Sequence, residues 1–375
     1  MVEERAFWLA WSQMNGVGPV LLRRLQKHFG SLISAWEADA SALVDVDGIG
    51  MQTADAIAAE RQTCDPATLL EQHERENRHF WTPADADYPR LLLEIPDPPP
   101  LLYYRGTADP LENQGITPMV AIVGTRDPSD YGRRWTRRLT TTLAQSGFTV
   151  VSGLAEGIDT EVHRSCLSLN GRTLAVLGTG VDVVYPWSNR HLQQQVIEHG
   201  LLLSEYPAGT QPDRTHFPRR NRIIAGLSRA TIVMEAPERS GALITAHMAN
   251  DYGRDVYVLP GSLDNRKALG CLHLLNKGAQ VILSEAHLLE MLGSLPQIVP
   301  PTQVQQTSIP LDLEPELANV LQILTNSHEN GPESLPFDII VQQSQLQAGA
   351  VSSALLQLEL MGLISQQPGM RYQRQ

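Results

Sequence analysis

Six short stretches of the chain combine glycine, small hydroxyl residues and arginine in a way suited to holding an anion. They are Gly124-Thr125-Arg126, Ser152-Gly153-Leu154-Ala155-Glu156-Gly157, Gly178-Thr179-Gly180, Glu205-Tyr206-Pro207 leading to Phe217 through Arg222, Glu235 through Ser240-Gly241, and Pro260-Gly261-Ser262. Glycine lacks a Cβ, so backbone N–H groups can close around a phosphate. Ser240-Gly241 and Asn189 stand where helices open, and a helix N-terminus favours negative charge. Arg126, Arg190, Arg219, Arg220 and Arg222 add mobile positive charge, and a guanidinium forks onto phosphate oxygens or lies flat on a base. Tyr185, Trp187, Tyr206 and Phe217 are close to those arginines in sequence. Basic residues tracking a backbone beside aromatic faces are the means by which single strands are held. Core anchoring is the competing use of the same aromatic residues.

Other chemistries fit the spacing less well. A dinucleotide fingerprint needs G-x-G-x-x-G after the first strand, where the chain reads GTRDPSDYG, and no G-x-x-x-x-G-K-[ST] loop occurs. There is no G-x-S-x-G elbow and no H-E-x-x-H. Asp159 and His163 are spaced to face one another on a helix, yet no nucleophile accompanies them, so they read as pocket architecture. Glu156, Asp159, Asp182, Glu205 and Glu235 have no diagnostic metal spacing and are expected to orient arginines and loop amides. The reading is therefore a binding protein with no catalytic residue, no metal and no cofactor.

Such loops need a scaffold that presents them together. Apolar β-type runs at Met119–Val123, Phe148–Val151, Thr173–Leu177, Leu201–Ser204, Thr231–Met234 and Val256–Val258 alternate with helical runs near 130–146, 157–169, 189–199, 219–227 and 240–252. That alternation predicts an α/β, Rossmann-like, doubly wound and mostly parallel sheet. In such sheets ligands bind beyond the carboxyl ends of the strands, where the six stretches fall.

The flanks differ in character. Residues 1–70 read as a helical domain with two G-h-G connectors, Gly16-Val17-Gly18 and Gly48-Ile49-Gly50, in helix-hairpin-helix form. Asp45 and Asp47 beside the second connector would repel phosphate, which favours structure or protein contact there. Residues 71–293 form an extended Rossmann-like domain. Its first part, 71–115, is irregular, with an edge strand expected at Leu101–Tyr104 after the proline-rich stretch. Residues 294–310 have linker composition. Residues 311–375 read as three helices and a hairpin, a winged helix, with the third helix at Ala348–Met361 and the hairpin at Leu363–Tyr372 around Pro368-Gly369. That third helix offers Ser352, Ser353, Gln357 and Glu359 but no lysine or arginine, so protein contact is expected over DNA reading.

The net charge of −12 hides this division. Residues 119–290 hold 18 basic and 16 acidic residues, against 9 and 18 in 1–118 and 2 and 7 in 291–375. Only the middle segment has a basic balance. Arg133, Arg134, Arg137 and Arg138 fall on one side of its first long helix, either as a solvated face or as an extended phosphate track. Three scattered cysteines argue against a disulfide framework and for a reducing cytoplasm. No apolar run approaches membrane-span length, and the acidic start does not resemble a signal peptide.

The motifs AIVGTR, VVSGLAEGIDTEVH, LAVLGTGVDVVYPWSNR, LLLSEYPAG, FPRRNRIIAGLS, EAPERSGALITA and GRDVYVLPGS, in unbroken order over about 95–285, resemble the DNA-processing protein A family, DprA, also called Smf. The resemblance implies a single-stranded-DNA-binding protein without established catalytic activity. It is similar to proteins that protect incoming strands in natural transformation and load the RecA recombinase, and that form homodimers through the Rossmann-like domain. Carried over by motif, the pocket would use Gly124 and Arg126, Gly153, Gly178 and Gly180, Asn189, and Arg219, Asn221 and Arg222, closed by Ser240 and Gly241. Trp187 and Arg190 complete the expected nucleic-acid-binding set. Trp187 stands where some members carry lysine, so stacking is expected to replace a charge contact and lower the salt dependence. The usual Ser-x-Gly-x-Asn or Ser-x-Gly-x-His appears as Ala268-Leu269-Gly270-Cys271-Leu272. Related Rossmann-like proteins hydrolyse nucleoside monophosphates with P-G-G-x-G-T-x-x-E. Here the loop from Pro237 to Met248 lacks the paired glycines and the glutamate, which leaves that enzyme reading as the alternative. A third reading, an adaptor whose acidic terminal domains bind proteins, is compatible with a recombinase loader.

Overall fold

The computed structural model describes residues 3–293, 315–330, 335–344, 346–360, 363–367 and 371–374. The chain divides into two compact units, 1–298 and 299–375.

The first unit is built on a nine-stranded sheet. Its strands are β1 (Phe80–Trp81), β2 (Leu102–Gly106), β3 (Met119–Val123), β4 (Thr149–Ser152), β5 (Thr173–Leu177), β6 (Leu201–Ser204), β7 (Ala230–Val233), β8 (Asp255–Val258) and β9 (Gln280–Val281). Their order is β1-β2-β6-β5-β4-β3-β7-β8-β9. The pairs β1–β2 and β2–β6 are antiparallel and all others are parallel. The expected edge strand at Leu101–Tyr104 is β2, one place in from the edge, because Phe80 and Trp81 pair outside it. A two-residue strand is too short to carry an alternating pattern.

The central strands are apolar throughout because both faces are covered. In β3, Val120 and Ile122 enter one core with Leu139, Leu143, Ile158 and Val162. Met119, Ala121 and Val123 enter the other, with Ile223, Ile224, Leu227 and Ala246. The helix Asp130–Gln145, between β3 and β4, thus lies on one face, and the helix Gly241–Asp251, between β7 and β8, lies on the opposite face. β3 and β7 are neighbours whose connections diverge, so a crevice opens beyond their carboxyl ends.

Helices from Glu4–Gln13 to Pro66–Glu76 precede the sheet and enclose their own core around Trp8, Trp11, Leu22, Leu25 and Ile57. In the first glycine connector the Asn15 N–H and side-chain amide donate to the Glu60 carboxylate at 3.2 and 2.8 Å. In the second, Arg24 pairs with Asp47 at 3.0 Å. Charged side chains of this chain thus lie beside both connectors.

The second unit packs helices Pro315–Asn330, Phe337–Ser344 and Ala348–Leu360 with strands β10 (Leu335–Pro336), β11 (Ile364–Gln367) and β12 (Arg371–Arg374) in the order β10-β12-β11. Val320, Leu324, Ile340, Val351, Leu355 and Leu358 form its core. This is a winged helix. Ser352, Ser353 and Gln357 of its third helix face outward. The expected linker, the last residue of that helix and the Pro368-Gly369 turn lie outside the described residues.

Candidate nucleic-acid interface

A cleft of about 690 Å³ lies beyond the ends of β3 and β7, walled by Gly124, Arg126, Phe217, Asn221, Arg239 and Gly241. A recess of about 40 Å³ joins it between Arg126, Leu154, Tyr185 and Phe217.

The floor is set by Arg220. Its guanidinium is buried and donates to the carbonyls of Gly153, at 2.7 Å, and Val176. A Cβ on Gly153 would come within 2.5 Å of that guanidinium, so only glycine lets the chain pass over it. Burial pushes Arg220 down to about 10, still protonated at neutral pH. Asp159 sits in the same buried region and accepts from the Ala155 N–H at 3.2 Å. Burial raises its carboxyl, and the Arg220 charge opposes that rise. His163 does not meet Asp159. Its Nδ1 pairs with the Thr173 hydroxyl at 2.8 Å, and burial holds it neutral with a pKa of about 3.

The loops around the floor are tied down by side chains. The Asn189 amide donates to the carbonyls of Leu154 and Ala155, at 3.0 and 3.3 Å, and to the Thr160 hydroxyl at 2.8 Å. It shapes the cleft from below. Buried Glu235 accepts from the Ser129 N–H at 2.8 Å and hydroxyl at 2.5 Å, which fixes the turn after β3. Gly157, at φ +83°, lies where a Cβ would meet the Arg126 carbonyl. Gly124 rests against Ile158, Gly178 against the Phe217 ring, and Gly180 against Asp182 and the Pro207 carbonyl. Ser240 caps its helix by accepting from the Ala242 N–H at 3.3 Å, and exposed Gly241 leaves that N-terminus open to the cleft.

The rim is different. Arg126, Arg214 and Arg239 line the cleft and Arg190 lies beyond it on the segment after Tyr185; all four are exposed, and none forms an ion pair among the described residues. Arg126 lies 5.8 Å from the Phe217 ring centre, which stacks on Tyr185 at 5.3 Å. Arg190 lies 5.0 Å from the ring of Trp187, itself 70% exposed. The expected departure at Trp187 is thus an open aromatic face beside an arginine.

Two expectations of mobile charge are corrected. Arg220 is locked in the floor, as described. Arg222 is 2% exposed, within 2.5 Å of Glu205 and 2.9 Å of Asp97, and is absent from the cleft walls. Arg219 projects outward but pairs with Glu205 at 3.3 Å. Asn221 lines the cleft, where it accepts from the Arg220 Nε at 3.2 Å and donates to the Gly241 carbonyl at 3.3 Å. The sequence reading did not single out Arg214 or Arg239 as ligand residues, although Arg239 lies within the motif EAPERSGALITA and Arg214 lies three residues before FPRRNR. In the Asp130 helix, Arg137 and Arg133 pair with Glu161, at 2.7 and 3.8 Å, and Arg138 pairs with Glu285 at 2.6 Å, as a solvated face does. Cys271, in the departing Ala268–Leu272 stretch, is buried, and burial pushes its thiol up to about 12.

Among the described residues no helix is long and apolar enough to cross a membrane, and no cluster of metal-ligating side chains occurs. The sequence model of DNA recombination-mediator protein A matches residues 79–293, and that of the DprA winged helix domain matches 304–370. Protein Smf of Synechocystis sp. is 51% identical over 99% of each chain. Protein Smf of Escherichia coli is 36% identical over 79% of this chain and 77% of its own. The X-ray structure of DNA processing protein A from Streptococcus pneumoniae is similar with a TM-score of 0.66 and 35% identity, covering 77% of this chain and 98% of that one. A structure of DNA processing protein A from Helicobacter pylori, described for its single-stranded DNA binding mode, has a TM-score of 0.51 and 31% identity, covering 57% and 95%. With two family domains in the expected order and a relative matched end to end, the chain belongs to the DNA recombination-mediator protein A (DprA/Smf) family.

Proposed function

We propose that this protein binds single-stranded DNA in the cleft beyond β3 and β7 and, holding the strand, loads a RecA-type recombinase during recombination and natural transformation. The observation that carries the reading is the cleft rim. Three exposed arginines without carboxylate partners, Arg126, Arg214 and Arg239, surround a floor whose charges are already committed, with Tyr185 and Phe217 among them, and Trp187 and Arg190 follow on the segment just beyond Tyr185. Unpaired guanidiniums are available for phosphates, and open rings are available for bases. The binding described for the Helicobacter pylori relative supports the same ligand. In this reading the protein works in the cytoplasm as a homodimer joined through the sheet domain, binds rather than transforms its ligand, and offers its acidic winged helix to protein partners.

Fluorescence anisotropy of a labelled oligodeoxythymidine across a salt series tests it, with wild type and Arg126→Ala. The expected result is salt-sensitive binding that the substitution weakens by about tenfold, with a slope shallower by about 0.7 for one lost phosphate contact. Unchanged binding by Arg126→Ala would remove the cleft as the site.

A further inference from the structure

On the far side of the Tyr185–Arg190 segment from the cleft lie two adjoining furrows. The first, about 290 Å³, is bounded by Arg105, Asp182, Arg190 and Gln194. The second, about 280 Å³, is bounded by Arg75, Arg78, Tyr104 and, again, Arg105 and Asp182. Tyr185 and Pro186 border the cleft recess, and Arg190, a few residues on, borders the first furrow, so one short segment separates the two sites. Arg75, Arg78, Arg105 and Arg190 are all exposed, and none forms an ion pair among the described residues. Two carboxylates share the furrows. Both oxygens of Asp182 accept from the Gly209 N–H, at 2.9 and 3.0 Å, and only Glu76 is uncommitted. The walls are braced, since Asn77 Oδ1 accepts from the Ala208 N–H at 2.8 Å. His79 lies over Tyr104 at 5.4 Å, which gives the second furrow an aromatic floor. Four exposed arginines against two carboxylates leave this path with a local positive balance, in a chain of net charge −12, and such a patch attracts an anion.

We propose that these furrows are a second phosphate track. A DNA strand held in the cleft passes over Trp187 and Arg190, then Arg105, and leaves along Arg75 and Arg78 at the junction of the sheet with the N-terminal helices. The track is separate from the cleft but rests on the reading of the cleft as a single-strand site. It makes the affinity depend on strand length.

The test compares oligodeoxythymidines of about six and about thirty nucleotides, spanning the usual single-strand site sizes. The variant is Arg75→Ala/Arg78→Ala/Arg105→Ala. A control of equal charge, Arg134→Ala/Arg164→Ala/Arg266→Ala, removes exposed arginines elsewhere. The expected result is a loss of about tenfold for the long strand only, with its salt slope shallower by about 2, and no loss for the short strand or the control. An unchanged long-strand slope, an equal loss at both lengths, or an equal loss in the control would each overturn the track. Arg126→Ala separates the two readings. If it leaves short-strand binding intact while the triple variant weakens the long strand, the cleft assignment fails and the track stands.

Discussion

The rim of the cleft and the buried layer beneath it both hold arginine and use it in opposite ways. In that layer, Arg220 in the floor and Arg222 away from the cleft are buried, bonded to carbonyls or carboxylates, and serve the fold. On the rim, Arg126, Arg214 and Arg239, with Arg190 just beyond it, are exposed and form no ion pair among the described residues. The flanking Asp130 helix is a third case, exposed but paired. The proposed phosphate site is therefore marked by guanidiniums without carboxylate partners, and counting basic residues along the sequence does not reveal them.

The largest expected effect is in the buried layer. Arg222→Ala leaves Glu205 buried with only the partly exposed Arg219 to meet it, and should cost about 3 kcal/mol in urea unfolding, as breaking a buried pair does. A loss below about 1 kcal/mol would place Arg222 with the dispensable surface arginines. His163 comes next. Its folded pKa of about 3 lies below the ordinary value near 6.5, so the unfolded chain takes up a proton that the folded chain refuses. Its contribution is constant above about pH 6.5 and is lost as the pH falls from there toward 3. By about pH 4.5 the loss reaches about 2–3 kcal/mol. His163→Gln should flatten the pH dependence by about one proton; equal slopes would mean that His163 titrates when folded.

On the rim, Trp187→Ala should weaken single-strand binding by about 1–3 kcal/mol while the salt slope stays the same, since stacking releases no counterions. A shallower slope would show that the ring acts by holding Arg190. The smallest effect is expected on the flank. Arg137→Ala should change stability by less than about 0.5 kcal/mol and binding by less than twofold, because Arg133 remains near Glu161 and exposed pairs contribute little. A loss matching that of Arg126→Ala would blur the line between paired and unpaired arginines.

The sheet was legible because buried parallel strands are continuous apolar runs. The expected bounds of β3, β5 and β6 coincide with those found, and β4, β7 and β8 shift by one residue. β1 was not legible, being two residues held by pairing with β2. Within the site, the loops were readable from glycine and arginine, but the sorting of the arginines was not. Arg219, Arg220 and Arg222 are neighbours in sequence, and their fates turn on Asp97, Gly153, Val176 and Glu205, all remote along the chain. Likewise the glycine connectors carry the backbone form of a phosphate site, yet a carboxylate 45 residues away, Glu60, is held beside the first by Asn15.

The open surroundings of Gly241 give the cleft an engineering handle. A Cβ there meets nothing within 4 Å, whereas one on Gly153 would strike a buried guanidinium. Gly241 is therefore the position at which the cleft tolerates a foreign side chain. A cysteine for a spin label, or a photo-cross-linking residue, placed there would face whatever occupies the site without disturbing its floor.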